Sequence, residues 1–310
     1  MDQHLQPSLA LKPPTIMPGP YEAGYIPEIN RQNVPGLEAN MPSKPVYDRL
    51  PDGPYKAAGK LAGRVALITG GDSGIGRSTC LLYALEGASV LFTHLPQEEK
   101  DAQDTLQIIK ERKSDAKVHH LAVDHREEKE CIRAVEETVS HFGKIDILFN
   151  NHGTQTMVYD IQDISFDQWH NTFATNVHSL FYLSKAALKH MKPHSGANII
   201  NNASINAYIG RPDLLDYTSS KGAVISFTRG LANQYNNRGV RVNAIAPGPI
   251  QAPLREATML EPAQESFSSP MGRPGESIEI ACAAVFLGSS DSSFVTGQTI
   301  HVNGGGFTTS

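Results

Sequence analysis

From about residue 60 onward, short β-branched apolar runs alternate with amphipathic stretches whose apolar positions recur every three or four residues. Repeated β-α-β units produce this alternation, because each parallel strand needs a crossover helix to return the chain to the sheet. The pattern predicts seven strands, at Arg64–Thr69, Ser89–His94, Val118–Val123, Ile145–Asn150, Ala197–Asn202, Val240–Ala246 and Gln298–Val302. Helices are predicted near 75–86, 99–113, 127–142, 167–191, 214–237 and 275–288. Crossovers of this kind are right-handed, which puts helices on both faces. The expectation is a single doubly wound α/β domain around a seven-stranded parallel sheet.

Two segments break the pattern. Residues 1–55 hold 11 of the 20 prolines and follow neither period. Proline fixes φ and removes a backbone donor, so this extension is expected to lie extended without a sheet of its own. Two readings stay open, a solvated tail or a strap. Tyr21, Tyr25, Ile26, Val46, Leu50 and Tyr55 offer apolar anchors for a strap. The domain proper is then 56–310. Within it, 248–274 carries Pro249, Pro253, Pro262, Pro270 and Pro274, with Leu254, Met259, Leu260 and Phe267 between them. It follows the carboxyl end of a strand, where open α/β sheets bind ligands, and is read as a flap over a substrate.

Composition narrows the partners. The formal net charge is −5, which argues against nucleic acid, since that would need a basic footprint. Cys80, Cys131 and Cys282 are far apart and show no paired-thiol metal spacing. They are expected to be reduced thiols in a reducing compartment, with no metal site. The N-terminus lacks the basic start and apolar core of a secretory signal, and no apolar run reaches the roughly 20 residues of a membrane helix. A cytoplasmic protein with no membrane partner is expected.

The first strand runs into Thr69-Gly70-Gly71-Asp72-Ser73-Gly74-Ile75-Gly76-Arg77 and then a helix. Glycines there permit a tight turn, let backbone approach a pyrophosphate and let helix and strand pack closely. The helix start adds free N–H groups and a positive dipole end. A dinucleotide is the implied ligand, held by Gly70, Asp72, Ser73, Gly74, Ile75 and Gly76. An acidic residue ending the second strand would bind the ribose 2′-hydroxyl of NAD. That place is Thr93-His94, whose side chains are read as donors to a 2′-phosphate, so NADP(H) is favoured and NAD(H) stays possible.

Tyr217-Thr218-Ser219-Ser220-Lys221 puts a phenol and an ammonium four positions apart on one helix face. A phenol near pKa 10 is a poor base at neutral pH. A fixed positive charge nearby is expected to lower that value toward the working range.

Together these motifs resemble the short-chain dehydrogenase/reductase family, over about residues 60–307. The glycine turn matches its T-G-x-x-x-G-x-G form, and Tyr217 with Lys221 matches its Y-x-x-x-K element. The fold implied is Rossmann-type. The resemblance implies a catalytic set of Asn176, Ser204, Tyr217 and Lys221, with Ser204 polarising the substrate oxygen and Asn176 holding a relay water. It implies further cofactor contacts from Asp124 and His125, from Asn151 and Gly153 in Asn150-Asn151-His152-Gly153, from Tyr217 and Lys221, and from Pro247, Gly248 and Ile250. The family usually has a small residue where His152 stands, and commonly Thr where Ala252 stands. Substrate contacts are expected from Gln155, Ser204, Asn206, Tyr208 and Tyr217. Details such as Pro270-Met271-Gly272-Arg273 look like the glucose/ribitol-type dehydrogenase subgroup, whose members carry Pro-rich extensions. Relatives pair through the helices bearing Asn176 and Tyr217, so a homo-oligomer, dimer or tetramer, is implied.

The resulting expectation is hydride transfer between a nicotinamide and an alcohol or ketone: a polyol, a sugar or a small carbonyl compound. A secondary-metabolite ketone or enone reductase, an epimerase or dehydratase using the same tyrosine, and a nucleotide-sensing regulatory protein are the alternatives.

Overall fold

The computed structural model describes residues 18–259 and 267–308. The seven main strands are β3 (Val65–Ile68), β4 (Ser89–His94), β5 (Val118–Ala122), β6 (Ile147–Asn150), β7 (Asn198–Asn202), β8 (Arg241–Pro247) and β9 (Thr299–Val302). They form one parallel sheet in the order β5-β4-β3-β6-β7-β8-β9. The order in which strands are added reverses after β5, when the chain crosses from β5 back to β6 beside β3, so the switch point lies between β3 and β6. Open sheets of this type bind ligands at the carboxyl ends beside such a switch point.

Alternate side chains of each strand feed two cores. Ala66, Ile68, Val90, Phe92, Ile147 and Phe149 pack with α1 (Gly74–Leu85), α2 (Glu99–Arg112) and a C-terminal helix (Ser277–Gly288). Leu67, Leu91, Leu148, Ile199 and Val242 enter the opposite core with α3 (Glu128–Phe142), a helix at Ser179–Ala187 and a long helix at Leu215–Tyr235. Both faces are therefore covered, which explains why the strands read as nearly continuous apolar runs.

The helix expected across 167–191 is not regular. It consists of α4 (Phe166–Phe173), a π-helical turn at Ala174–His178, and α5 (Ser179–Ala187). After β7 come a short α6 (Asn206–Ile209) and α7 (Leu215–Tyr235). After β8 comes α8 (Pro253–Thr258), inside the flap segment, and then α9 (Ser277–Gly288). Residues 260–266 of the flap lie outside the described residues, as do 1–17.

The extension departs from expectation in one respect. It does contain a small ladder, β1 (Arg49–Leu50) against β2 (Gly53–Pro54). Pro54 is tolerated because a two-strand ribbon leaves one edge unpaired. Residues 18–59 lie against the domain. The Val46 N–H donates to the Glu276 carboxylate at 2.8 Å and its carbonyl accepts from Ile278 at 3.2 Å. The Tyr55 hydroxyl reaches Glu86 at 2.6 Å. Among the described residues no helix is long and apolar enough to cross a membrane.

Candidate active site

A cavity of about 840 Å³ opens at the carboxyl ends of the strands. One end is walled by Gly70, Asp72, Ser73, Gly74, Ile75, Thr93, His94, Asp124 and His125. Asn151, Gly153, Lys221, Pro247, Gly248 and Ile250 line its middle, and Gln155, Ser204, Asn206 and Tyr217 the other end. Gly76 is the one proposed cofactor contact outside this wall. A Cβ there would lie 1.8 Å from the Gly70 carbonyl oxygen, so its part is to let α1 seat directly under the turn.

The turn is shaped to hold a diphosphate. Gly70 and Gly74 have φ of 63° and 49°, a region that side chains disfavour. A Cβ at Gly74 would stand 3.0 Å from the Ala252 methyl, so the cradle stays open only with glycine. The buried Asp72 carboxyl has one oxygen, Oδ2, without a partner, a group that a ligand donor would satisfy. The residues present thus fit a dinucleotide.

Several proposed contacts are already engaged. The Thr93 hydroxyl lies 2.7 Å from His125 Nε2. His94 Nδ1 is 2.8 Å from the Leu95 carbonyl and its Nε2 is 2.9 Å from His120. Neither side chain therefore presents a free donor to a 2′-phosphate in this conformation. Both nitrogens of a ring are single-partner sites, and here both are filled. Asp124 accepts from the Arg126 guanidinium at 3.0 Å, which holds its carboxyl below the ordinary range. Burial pushes the carboxyls of Asp72 and Glu98 well above that range.

Ser204 and Tyr217 line the same cavity, and the serine hydroxyl acts to favour the ionised phenol. Lys221 Nζ stands 5.5 Å from the Tyr217 ring centroid and donates to the Asn202 carbonyl at 2.8 Å. The expected lowering of the phenol by Lys221 is not what the structure gives. Burial pushes Tyr217 up to about 12 and Ser204 draws it partly back. Burial also brings Lys221 down to about 8, which weakens the fixed charge that was to act on the phenol. Asn176 sits in the π turn. Its side chain accepts from the Thr154 N–H at 2.8 Å and donates to Thr154 O at 2.9 Å and Ser220 Oγ at 3.0 Å. π turns often mark functional sites, because the extra residue aims a side chain that a regular helix would not.

Tyr208 is not brought into the cavity. Its ring packs on His301 and Phe307, with centroids 4.6 and 4.9 Å away. In the short α6 it is Ile209, four positions after Ile205, that shares the cavity face.

Other groups were given no role by sequence reasoning, His152 having stood out only as a departure from the family pattern. His152 Nδ1 lies 2.7 Å from the Thr69 hydroxyl and its Nε2 2.9 Å from Ser179, tying the phosphate turn's strand to α5. Burial and Lys221 bring this ring down to about 4, so it is neutral. The buried Asp216 accepts from Thr172 at 2.7 Å, Gln168 at 3.0 Å and the Tyr217 N–H at 2.7 Å, joining α4 to the start of α7. Val34, Pro35 and Gly36 of the extension also line the cavity. No local signal marks any of these, since each depends on contacts between distant segments.

A parallel sheet with a glycine turn at its switch point and a Ser-Tyr-Lys cluster at the far end of one cleft defines a dinucleotide-dependent oxidoreductase. A family model described as enoyl-(acyl carrier protein) reductase matches residues 70–307. The chain belongs to the short-chain dehydrogenase/reductase family and is an NAD(P)-dependent oxidoreductase. It is 45% identical to the glucose and ribitol dehydrogenase of Daucus carota, over 91% of this chain and 97% of that one. It is 47% identical to NADPH-dependent aldehyde reductase 1, chloroplastic, of Arabidopsis thaliana, over 87% and 94% of the two chains. Among solved structures it resembles a short chain dehydrogenase from Burkholderia cenocepacia J2315 in complex with NADP. That likeness has a TM-score of 0.74 and 26% identity, covering 80% of this chain and 99% of that one.

Proposed function

We propose that this enzyme reduces small aldehydes, ketones or sugar-like carbonyl compounds, and oxidises the matching alcohols, with NADP(H) favoured over NAD(H). One observation carries the assignment of roles: the Tyr217 phenol, with Lys221 Nζ 5.5 Å from its ring, lines the same cavity as Ser204 and the glycine turn. When bound, the nicotinamide supplies or accepts the hydride. Ser204 and Tyr217 hold the substrate oxygen by hydrogen bonds. Tyr217 gives it the proton in reduction and takes it in oxidation. Lys221 and a water near Asn176 bring the proton that restores Tyr217 from solvent in reduction, and carry it out to solvent in oxidation.

The preference for NADP(H) is supported by the absence of an acidic residue at position 94 and by burial, which pushes the Asp72 and Glu98 carboxyls up toward their neutral form. A protonated carboxyl does not repel a phosphate. The named relatives from carrot and Arabidopsis support sugar-like and aldehyde substrates. The mixed wall of Gln155, Asn206, Ile205 and Ile209 suits a small molecule with both polar and apolar parts. A cytoplasmic homo-oligomer, dimer or tetramer, completes the reading. Its support is the exposed Phe166, Trp169 and Phe181 on α4 and α5.

A turnover screen of aldehydes, sugars, polyols and ketones with NADPH and NADH tests it. Reduction of carbonyl compounds with NADPH preferred is the expected result. Consumption of neither cofactor with any substrate class would refute it.

A further inference from the structure

The Pro-rich extension reaches the cofactor turn through one side chain. Glu38 is fully buried. Its Oε2 accepts from the Gly74 N–H at 2.7 Å, at the start of α1, and its Oε1 takes the Tyr47 hydroxyl and the Arg77 guanidinium. The backbone beside it is held as well: the N–H groups of Glu38 and Ala39 donate to the Asp101 carboxylate at 2.6 and 2.9 Å. Arg77 is saturated by this arrangement. Its Nε reaches the Asp72 carbonyl and the Thr105 hydroxyl, both at 2.8 Å, and its Nη2 reaches the Asp101 carbonyl at 3.0 Å. One guanidinium therefore joins the phosphate turn, α2 and the extension.

Just upstream, the same segment meets the flap. The Gln32 amide donates to the Glu256 carboxylate at 3.1 Å, and its N–H to the Glu256 carbonyl at 3.2 Å. Gly36, at φ 86°, lies so close to α8 that a Cβ would stand 2.9 Å from both the Pro253 carbonyl and the Ala257 methyl. Between these two anchor points Val34, Pro35 and Gly36 form part of the cavity wall, beside Ser73 and Gly74 on one side and Pro253 and Leu254 on the other.

We propose that residues 32–38 are a working part of the dinucleotide site. Glu38 is a positioning residue that caps the phosphate turn, and the segment bridges that turn to the flap helix, so that nucleotide binding and docking of the extension reinforce each other. The inference rests on the reading of the cavity as the dinucleotide site. Its physical basis is linkage. A wall that exists only when the extension is docked adds contacts to the bound nucleotide. By reciprocity the nucleotide must then hold the extension down by the same factor. An amide in place of the Glu38 carboxylate keeps one oxygen and turns the other into a donor, so either the Gly74 N–H or the Arg77 guanidinium loses its acceptor in a buried place, which favours undocking.

The test uses the full chain and measures binding directly. NADPH affinity is read by fluorescence, and docking by the rate at which trypsin cuts after the exposed Arg31. Glu38→Gln should weaken NADPH about tenfold and Gln32→Ala about fivefold, within the usual range of coupling between sites. Saturating NADPH should slow cleavage after Arg31 at least about fivefold in the wild type, and much less in Glu38→Gln. Far-UV circular dichroism and melting establish that each variant is folded. If Glu38→Gln does not fold, the wild-type protection by NADPH and the Gln32→Ala affinity decide the matter. Unchanged affinity in folded variants, or cleavage indifferent to NADPH, means the extension only packs, and the proposal fails. A wild type that binds neither dinucleotide would overturn the site reading itself, a result distinguishable from the former.

Discussion

At Tyr217 two influences oppose each other: burial keeps the phenol protonated, and the Ser204 hydroxyl favours the ionised form. Burial is the larger, so in reduction the residue stands ready as an acid, and in oxidation it must first lose its proton. Alcohol oxidation should therefore accelerate as pH rises from 7 to 10, while carbonyl reduction changes little over neutral pH. A pH-rate profile in both directions checks this. Tyr217→Phe should lower turnover by about 10²–10⁴-fold, the usual worth of a general acid, with NADPH affinity unchanged. Retained turnover would move the acid to another residue. His152 makes a separate prediction. Its folded-state value of about 4 lies below the ordinary 6.5, so the unfolded chain binds its proton first. The stability that neutral His152 contributes is complete above pH 6.5 and is lost as pH falls toward 4. The melting temperature of His152→Ala should accordingly drop less between pH 7 and pH 4.5 than that of the wild type.

Element by element, the sequence was legible wherever a local pattern carries the information. The strand runs, the glycine turn and the four-residue spacing of Tyr217 and Lys221 all belong to this kind. The π turn at Ala174–His178 was not legible, because one added residue leaves the apolar stripe of a long helix almost intact. The orientation of Tyr208 depended on Phe307, about a hundred residues away, and no short period encodes such a contact. The burial of Glu38 carries no local mark in the sequence for the same reason. The joint between α4 and α7 is another product of distance. Asp216→Ala would leave Thr172, Gln168 and the Tyr217 N–H without their acceptor. Unsatisfied buried donors cost about 1–3 kcal/mol each and three lose their acceptor here, so a loss of at least about 3 kcal/mol is expected in denaturant unfolding. Turnover should fall with it, since the same carboxylate fixes the backbone of the catalytic tyrosine. A variant as stable and active as the wild type would show the joint to be dispensable.

For the molecule as a whole, the outer face of α4 and α5 exposes large aromatic side chains, with Phe166 85% and Phe181 46% accessible. If this face joins subunits, Phe181→Glu should shift the mass measured by light scattering to a smaller species. An unchanged mass would assign the face to some other use. The sheet order has a consequence of another sort. Its centre joins β3 to β6, and the Val65 N–H bonds to Asp146 across 81 positions of chain. During synthesis, β3 can pair with β4 early, but its other edge has to wait until β6 has left the ribosome. Closing so long a loop is entropically unfavourable before the contacts that reward it exist. For that interval the nascent chain exposes an apolar strand edge, and in a cell this enzyme should depend on chaperones during that step more than a protein whose neighbouring strands are also neighbours in sequence.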